Sequence, residues 1–355
     1  LVTMKNLKTL FLFTTLSMTA LSDALADTRV GFVYVGPRTD FGYNYAQDQG
    51  RQYLDEHMDN VSTLYFENVP ENAEVQRVME RMIRNGVDII FPTSYGYLDP
   101  ALDLARRYPD TTFVHSGGLK TADNLSTYFA DIDQAMYLTG MTAGLMTETD
   151  RLGFIAAHPI PQVLRNINAF ARGAQSVNPD VTTSVIWTAQ WSNPTAESEA
   201  ANTLIDNGAD VLAGHVDSPI NYTQTAEQRG VYAVGYHADA SKFAPQGWLV
   251  GAEWNWGPMM VDIVTSIQDG TWEPTHLRGN LTTGATQLTE FGDNAPEEVR
   301  ERVLQARDEI MAGDLHIWHG PVVDQTGNEL YSDEMPMEAA ESMDFLVQGV
   351  QGRLP

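Results

Sequence analysis

The chain has 355 residues, no cysteine, and 47 acidic against 21 basic residues, a formal net charge of −26. Without cysteine it has no disulfide scaffold, thiolate metal site or cysteine nucleophile, and its negative field repels nucleic acid and anionic membrane. The length exceeds what one hydrophobic core usually serves and allows two domains.

At the start, Met4 opens a basic region with Lys5 and Lys8, and Leu10 to Ala20 is apolar apart from Thr and Ser. That run is too short for a stable membrane anchor. Ala24-Leu25-Ala26 has the small-x-small pattern of a cleavage site. Residues 1–26 are therefore expected to be a cleavable signal peptide, with the mature chain exported to the periplasm from Asp27. No cysteine stands at the junction, so a lipid anchor there is not expected. No later segment is apolar for long enough to insert stably in a membrane. The charged residues of the leader are Lys5, Lys8 and Asp23; beyond it the only lysines are Lys120 and Lys242. Acidity spread along the whole chain suits a halophilic surface that must stay hydrated in brine. An acidic docking face for a cationic partner is the other reading.

From Arg29 strands and helices alternate. Strands are predicted at 29–35, 61–66, 87–91, 111–115 and 127–130, with helices at 44–58, 72–85, 100–108 and 133–147. The cycle restarts with strands at 152–156, 181–188, 210–213 and 231–235 and helices at 162–178, 195–207 and 219–229. Strands separated by helices of this length form parallel sheets with right-handed crossovers. Two such sets predict two doubly wound α/β lobes joined by short segments. The tail is less regular: a strand at 248–251, helices at 258–269 and 296–311, and a hairpin over 322–330 around Thr326-Gly327-Asn328.

Catalytic signatures are missing. There is no P-loop, G-x-G-x-x-G, G-x-S-x-G or H-E-x-x-H. His215 with Asp217, and His237 with Asp239, have the two-residue spacing of metal ligands, but polar loop residues of this kind more often bind water or ligand groups. No catalytic residue, metal or cofactor is expected.

In open parallel sheets, ligands bind beyond the carboxyl ends of the strands. Those ends carry aromatics, amides and carboxylates: Asp40, Tyr43 and Asn44; Ser94 and Tyr95; Ser116-Gly117-Gly118; Trp191; His215 and Asp217; Tyr236 and Asp239; Asn255 and Trp256. Singly, each has an ordinary role. Asp40, Asn44, Ser94 and Ser218 suit helix caps, and Trp254 and Trp256 suit hinge packing. Together they suit a flat, neutral, hydrogen-bonding ligand stacked on aromatic faces. The basic residues nearby, Arg38, Arg165 and Lys242, form no cluster, which argues against a phosphate.

The stretches 31–51 (GFVYVGPRTDFGYNYAQDQGR), 91–100, 158–174, 191–211, HVDSP (215–219), GYHADASKF (235–243) and WNWGP (254–258) resemble the basic membrane protein family of substrate-binding proteins, which includes bacterial purine nucleoside receptors. The resemblance covers nearly all of the chain after residue 26. It implies the type I periplasmic-binding-protein fold and service to an ABC permease in the inner membrane. On this reading the first lobe takes 27–148 plus about 238–285, and the second 149–237 plus about 286–355. The family's Asp-x-x-aromatic-Asn falls on Asp40, Tyr43 and Asn44, which implies that Tyr43 stacks on a purine ring. Trp191 matches the aromatic on the other face, and Asp239 the carboxylate near the return crossing. Nucleoside receptors use a later lysine where this chain has Trp254-Asn255-Trp256, which shifts the expectation toward a free base such as adenine. A receptor for a sugar, amino acid or osmolyte is the alternative, with Tyr43, Trp191 and Trp256 as an aromatic cage. A nucleoside hydrolase using Asp217 or Asp239 is the third reading, weakened by the lack of a base–nucleophile pair.

Overall fold

The computed structural model describes residues 27–355, so the expected signal segment lies outside the described residues. In chain order the first set is β1 (Thr28–Val33), α1 (Tyr43–His57), β2 (Val61–Phe66), α2 (Ala73–Arg84), β3 (Ile89–Pro92), α3 (Leu98–Arg107), β4 (Thr112–Ser116) and β5 (Leu125–Ala130). Helix α4 (Ile132–Met146) leads into β6 (Arg151–Ala156), α5 (Pro161–Val177), β7 (Thr182–Trp187), α6 (Pro194–Asp206), β8 (Val211–His215), α7 (Ile220–Arg229), β9 (Tyr232–His237) and β10 (Trp248–Trp254). There follow α8 (Trp256–Gln268), β11 (His276–Gly279), β12 (Thr286–Leu288), α9 (Glu297–Ala312), β13 (Val322–Val323), β14 (Glu329–Tyr331), α10 (Met337–Glu341) and β15 (Val350–Gln351).

The strands form two sheets with the same internal order. One runs β2-β1-β3-β4-β5-β11 and the other β15-β7-β6-β8-β9-β10-β12. All pairings are parallel except β10 with β12, where Ala252 faces Leu288. Strand β1 lies between β2 and β3, with Val30 opposite both Thr63 and Ile89. Strand β6 likewise lies between β7 and β8. Each sheet therefore reverses its winding direction beside its first strand, which opens a crevice at the strands' carboxyl ends. The strands at the sheet centres are buried throughout, as in β3 and β8, because helices cover both faces.

The chain crosses between the sheets after β5, after β10 and after β11. The first crossing enters α4, which is apolar all round because it is wedged against α5, α9 and β10. Glycines let α4 and α5 meet backbone to backbone. A Cβ on Gly140 would stand 2.0 Å from the Phe170 carbonyl oxygen, and one on Gly173 1.9 Å from that of Tyr137.

One expectation changes. Strand β10 pairs with β9 in the second sheet, so the stretch 238–285 is divided between the sheets instead of returning to the first lobe at 238. The short strands β11, β12 and β15 carry too few residues to show a period in sequence, yet they extend both sheets. The tail hairpin forms as β13 and β14.

Candidate functional site

Between the two sheets' carboxyl ends lies a narrow cleft, where open parallel sheets hold their ligands. Its lining falls into two walls. From the first sheet come Val35, Tyr43, Ser94, Tyr95, Ser116 and Phe129; from the second come Gln162, Trp191, His215, Asp217, Tyr236 and His237. Each sits at a strand's carboxyl end, in the loop after it, or in the first turn of the next helix, except Phe129, which lies inside β5.

The first wall is held by hydrogen bonds from its hydroxyls. The Tyr43 hydroxyl donates to the Thr93 carbonyl and lies 3.0 Å from the Ser116 hydroxyl. The Ser94 hydroxyl donates to Glu71 at 2.5 Å. Burial pushes the Tyr43 phenol well above its ordinary range, so it stays protonated and its ring is fixed by its own hydroxyl.

The second wall is a linked set of imidazoles and a carboxyl. Trp254 donates its indole N–H to His237 Nδ1 at 2.9 Å, which puts the His237 proton on Nε2, 2.9 Å from the Val216 carbonyl. The Asn166 amide donates to His215 Nδ1 at 2.9 Å, leaving the His215 proton on Nε2 beside the Tyr236 oxygen at 3.4 Å. Burial, and then the Arg165 charge, lowers His215 to about 3. Burial, and then His215, takes His237 well below its ordinary value. Both rings are neutral at neutral pH. Asp217 moves the other way: burial first, then the charges of Asp40, Glu197 and Glu71, push its carboxyl up to about 8. It stands protonated at pH 7, with a donor and an acceptor on one planar group.

Of the fifteen strand-end residues singled out in the sequence, the cleft brings together Tyr43, Ser94, Tyr95, Ser116, Trp191, His215, Asp217 and Tyr236. Asp40 stands behind the wall: its Oδ1 accepts the Gly42 N–H at 2.9 Å, and burial raises it to about 6. Asn44 is fully buried beside Asp217, and neither amide atom has a hydrogen-bond partner. Asp239 is exposed and caps Ser241 N at 2.8 Å. The reason is local: His237 has φ +76°, so the chain turns at the end of β9, bringing His237 into the cleft and Asp239 out of it. Asn255 donates to the Gly284 carbonyl at 3.0 Å at the crossing between sheets. Trp256 is buried and stacks on Trp254 with centroids 4.6 Å apart. Both serve the hinge and do not line the cleft. Among the described residues no group of three or more His, Asp or Glu side chains could hold a metal ion.

Val35, Phe129, Gln162 and His237 were not among them. Ser116 and His237 end β4 and β9, so the strand-end rule points to both. Phe129 and Val35 look like ordinary strand residues and carried no signal.

The walls also meet directly. Tyr43 N–H donates to the Asp217 carbonyl at 2.8 Å, and the Ser218 hydroxyl donates to the Asp40 carbonyl at 2.6 Å. Gly42 is pressed so close that a Cβ there would lie 1.5 Å from the Asp217 carbonyl oxygen. Phe41, in left-handed backbone at φ 55°, packs edge-on against Phe243 at 5.3 Å under the Lys242 ammonium, 3.8 Å from its ring centroid.

Comparison with known proteins agrees with this architecture. Residues 27–318 match the family model of PnrA-like ABC transporter substrate-binding proteins. A purine-binding protein of Brucella abortus is 38% identical over 330 residues, 92% of this chain and 94% of that protein. A Haloferax volcanii protein, provisionally named as the glucose-binding protein of an ABC transporter, is 37% identical over 325 residues, 91% of this chain and 80% of that one. Among solved structures, a solute-binding protein of an ABC transporter system from Aeropyrum pernix superposes with a TM-score of 0.71 at 18% identity, covering 81% of this chain and 92% of that one. One from Conexibacter woesei gives 0.68 at 21% identity, covering 81% and 98%. These structures share the type I periplasmic-binding fold. The chain therefore belongs to the PnrA-like, or basic membrane protein, family, and it is a substrate-binding protein of an ABC transporter, not an enzyme.

Proposed function

We propose that this protein captures a purine base or nucleoside in the cleft between its lobes and delivers it to an ABC permease. The observation that carries this reading is the pairing of two aromatic walls, Tyr43 and Trp191, with the buried Asp217 carboxyl. A neutral carboxylic acid donates through its hydroxyl and accepts through its carbonyl, side by side. An amino group next to a ring nitrogen, as on adenine, offers the complementary pair. The rings stack on the walls, and a site of this kind rejects ligands that leave its buried polar groups unpaired. The buried Asn44 side chain stands beside Asp217 and supports that wall. The purine-binding relative supports this choice.

A sugar is the second reading, favoured by the provisionally glucose-binding relative, since aromatic walls also stack on sugar rings. Export to the periplasm by residues 1–26 belongs to the same proposal, and so does adaptation of the acidic surface to salt. Among the described residues no helix is long and apolar enough to cross a membrane.

Native purification followed by mass spectrometry of the co-purified small molecule tests the reading. A purine base or nucleoside is the expected finding. Recovery of a hexose, with no heat of binding for adenine or adenosine in calorimetry, refutes it.

A further inference from the structure

One hydrogen bond behind the second wall has only one possible direction. An indole N–H donates and never accepts, so the 2.9 Å contact from Trp254 makes His237 Nδ1 the acceptor. The His237 proton is then on Nε2, which meets the Val216 carbonyl at 2.9 Å. Val216 stands between His215 and Asp217, where β8 ends. Both backbone groups of Asp217 are held by the aromatic walls. Its N–H donates to the Trp191 carbonyl at 2.7 Å, and its carbonyl accepts the Tyr43 N–H at 2.8 Å. A directed relay from Trp254 through His237 to Val216 therefore ends on the loop that carries Asp217.

Trp254 does not itself line the cleft. It is the last residue of β10, where the chain leaves the second sheet for the first, and it is 7% exposed. Its ring lies 5.1 Å from Phe129 of the first wall and 4.6 Å from Trp256. One side chain at the crossing thus touches a residue of each wall. His237 needs such an anchor: its backbone is left-handed at φ +76°, a conformation that persists in a residue other than glycine only where its surroundings enforce it. The stacked neighbour supplies the contrast. Trp256 is as deeply buried, but its Nε1 has no hydrogen-bond partner.

We propose that Trp254 is a positioning residue for ligand binding: its indole N–H fixes the tautomer and orientation of His237 and, through Val216, the loop that places His215 and Asp217 in the cleft. The proposal rests on the cleft reading above for where the ligand sits. Without the indole N–H, the His237 proton is free to occupy either nitrogen, and a ring protonated on Nδ1 alone has no donor for the Val216 carbonyl.

Two variants separate the bond from the packing. Trp254→Phe keeps an aromatic ring beside Phe129 and Trp256 and removes the N–H. Trp256→Phe makes the same change of ring at the neighbouring indole and removes no hydrogen bond. Calorimetry with adenine should show Trp254→Phe binding about tenfold more weakly and Trp256→Phe less than about threefold more weakly. Nitrogen-15 NMR of the unliganded wild type at pH 7 should show His237 with an unprotonated Nδ1 and a protonated Nε2. In Trp254→Phe the two tautomers should mix. Equal losses in the two variants, no loss in Trp254→Phe, or an unchanged His237 spectrum overturns the proposal. The wild-type spectrum needs no variant to fold, and a protonated Nδ1 there overturns the proposal by itself. If the wild type binds D-glucose and not adenine, the purine reading falls. A tenfold loss of D-glucose affinity confined to Trp254→Phe then upholds the positioning role.

Discussion

The two walls of the cleft have equal numbers of residues but different chemistry. The first, with Tyr43, Ser94, Ser116 and Phe129, contains no carboxyl or imidazole; the second contains Asp217, His215 and His237. The first wall is set by shape and by hydroxyls whose protonation does not change near neutral pH. The second depends on keeping three ionisable groups uncharged. Both come from the same strand order in the two sheets, so the difference lies in strand-end residues and not in architecture. A repeated fold thus supplies one fixed face and one face whose charge depends on pH.

The largest expected effect tests that dependence. Asp217 is raised to about 8, from an unfolded value near 3.9. A carboxyl raised on folding binds its proton more tightly in the native state. Its contribution to stability is complete below the unfolded value and is lost as pH rises toward about 8. At about 1.4 kcal/mol per unit the full span amounts to several kcal/mol. The wild type is therefore expected to melt at lower temperature at pH 9 than at pH 5, and Asp217→Asn, which cannot ionise, to flatten that slope. Parallel melting curves for the two proteins across pH 5–9 would show that Asp217 does not set the pH response.

Next comes the contact between the walls. A methyl at Gly42 collides with the Asp217 carbonyl, so Gly42→Ala holds the lobes apart without touching either core. Affinity for the bound solute should fall by about 100-fold, roughly 2.7 kcal/mol, with little change in the melting temperature of the unliganded protein. Unchanged affinity in calorimetry would mean that the ligand is held without the Gly42–Asp217 contact.

Much of this was readable in one dimension. The strand–helix alternation shows because each helix carries its own punctuation: Asn72 caps α2 by accepting from Glu74 N at 2.8 Å, and Gly230, at φ +70°, ends α7. The strand-end rule then found Tyr43, Trp191, His215, Asp217 and Tyr236 without a structure. What stayed hidden was decided by backbone turns and distant packing. Whether His237 or Asp239 faces the cleft depends on one left-handed residue. Whether 248–254 belongs to the first or second lobe depends on its pairing with β9, which sequence does not reveal. Trp256 has the composition of a binding residue, but it stacks under Trp254 at the hinge.

A third expected effect compares the aromatic faces. Trp191, from the ionisable wall, is partly exposed and meets His158 and His215 edge-on or tilted, at 4.8 and 6.2 Å. Tyr43, from the neutral wall, is pinned through its hydroxyl. Trp191→Ala should cost about 2 kcal/mol of binding, the scale of an anchoring aromatic. Tyr43→Phe keeps the ring and loses only its tether, and should cost about 1 kcal/mol. Calorimetry on the two variants ranks the walls, and a larger loss for Tyr43→Phe would reverse the order.

The smallest expected effect lies outside the cleft, where Lys242 sits 3.8 Å above the Phe41 ring and 4.9 Å from that of Phe243. Phe41 comes from the first-wall loop and Lys242 from the segment after β9, so this contact exists only while the walls are together. A cation over an aromatic face at an exposed site is worth about 0.5–1 kcal/mol. Lys242→Met removes the charge and keeps the stem. Because neither residue lines the cleft, any loss of affinity acts through the closed arrangement, and dissociation should quicken about two- to fivefold while association is unchanged. The effect should persist at physiological ionic strength, since the ammonium–ring contact is short compared with the screening length of about 8 Å there. Equal dissociation rates for the variant and the wild type in stopped-flow fluorescence would show that the walls are held by the Gly42–Asp217 and Asp40–Ser218 contacts alone.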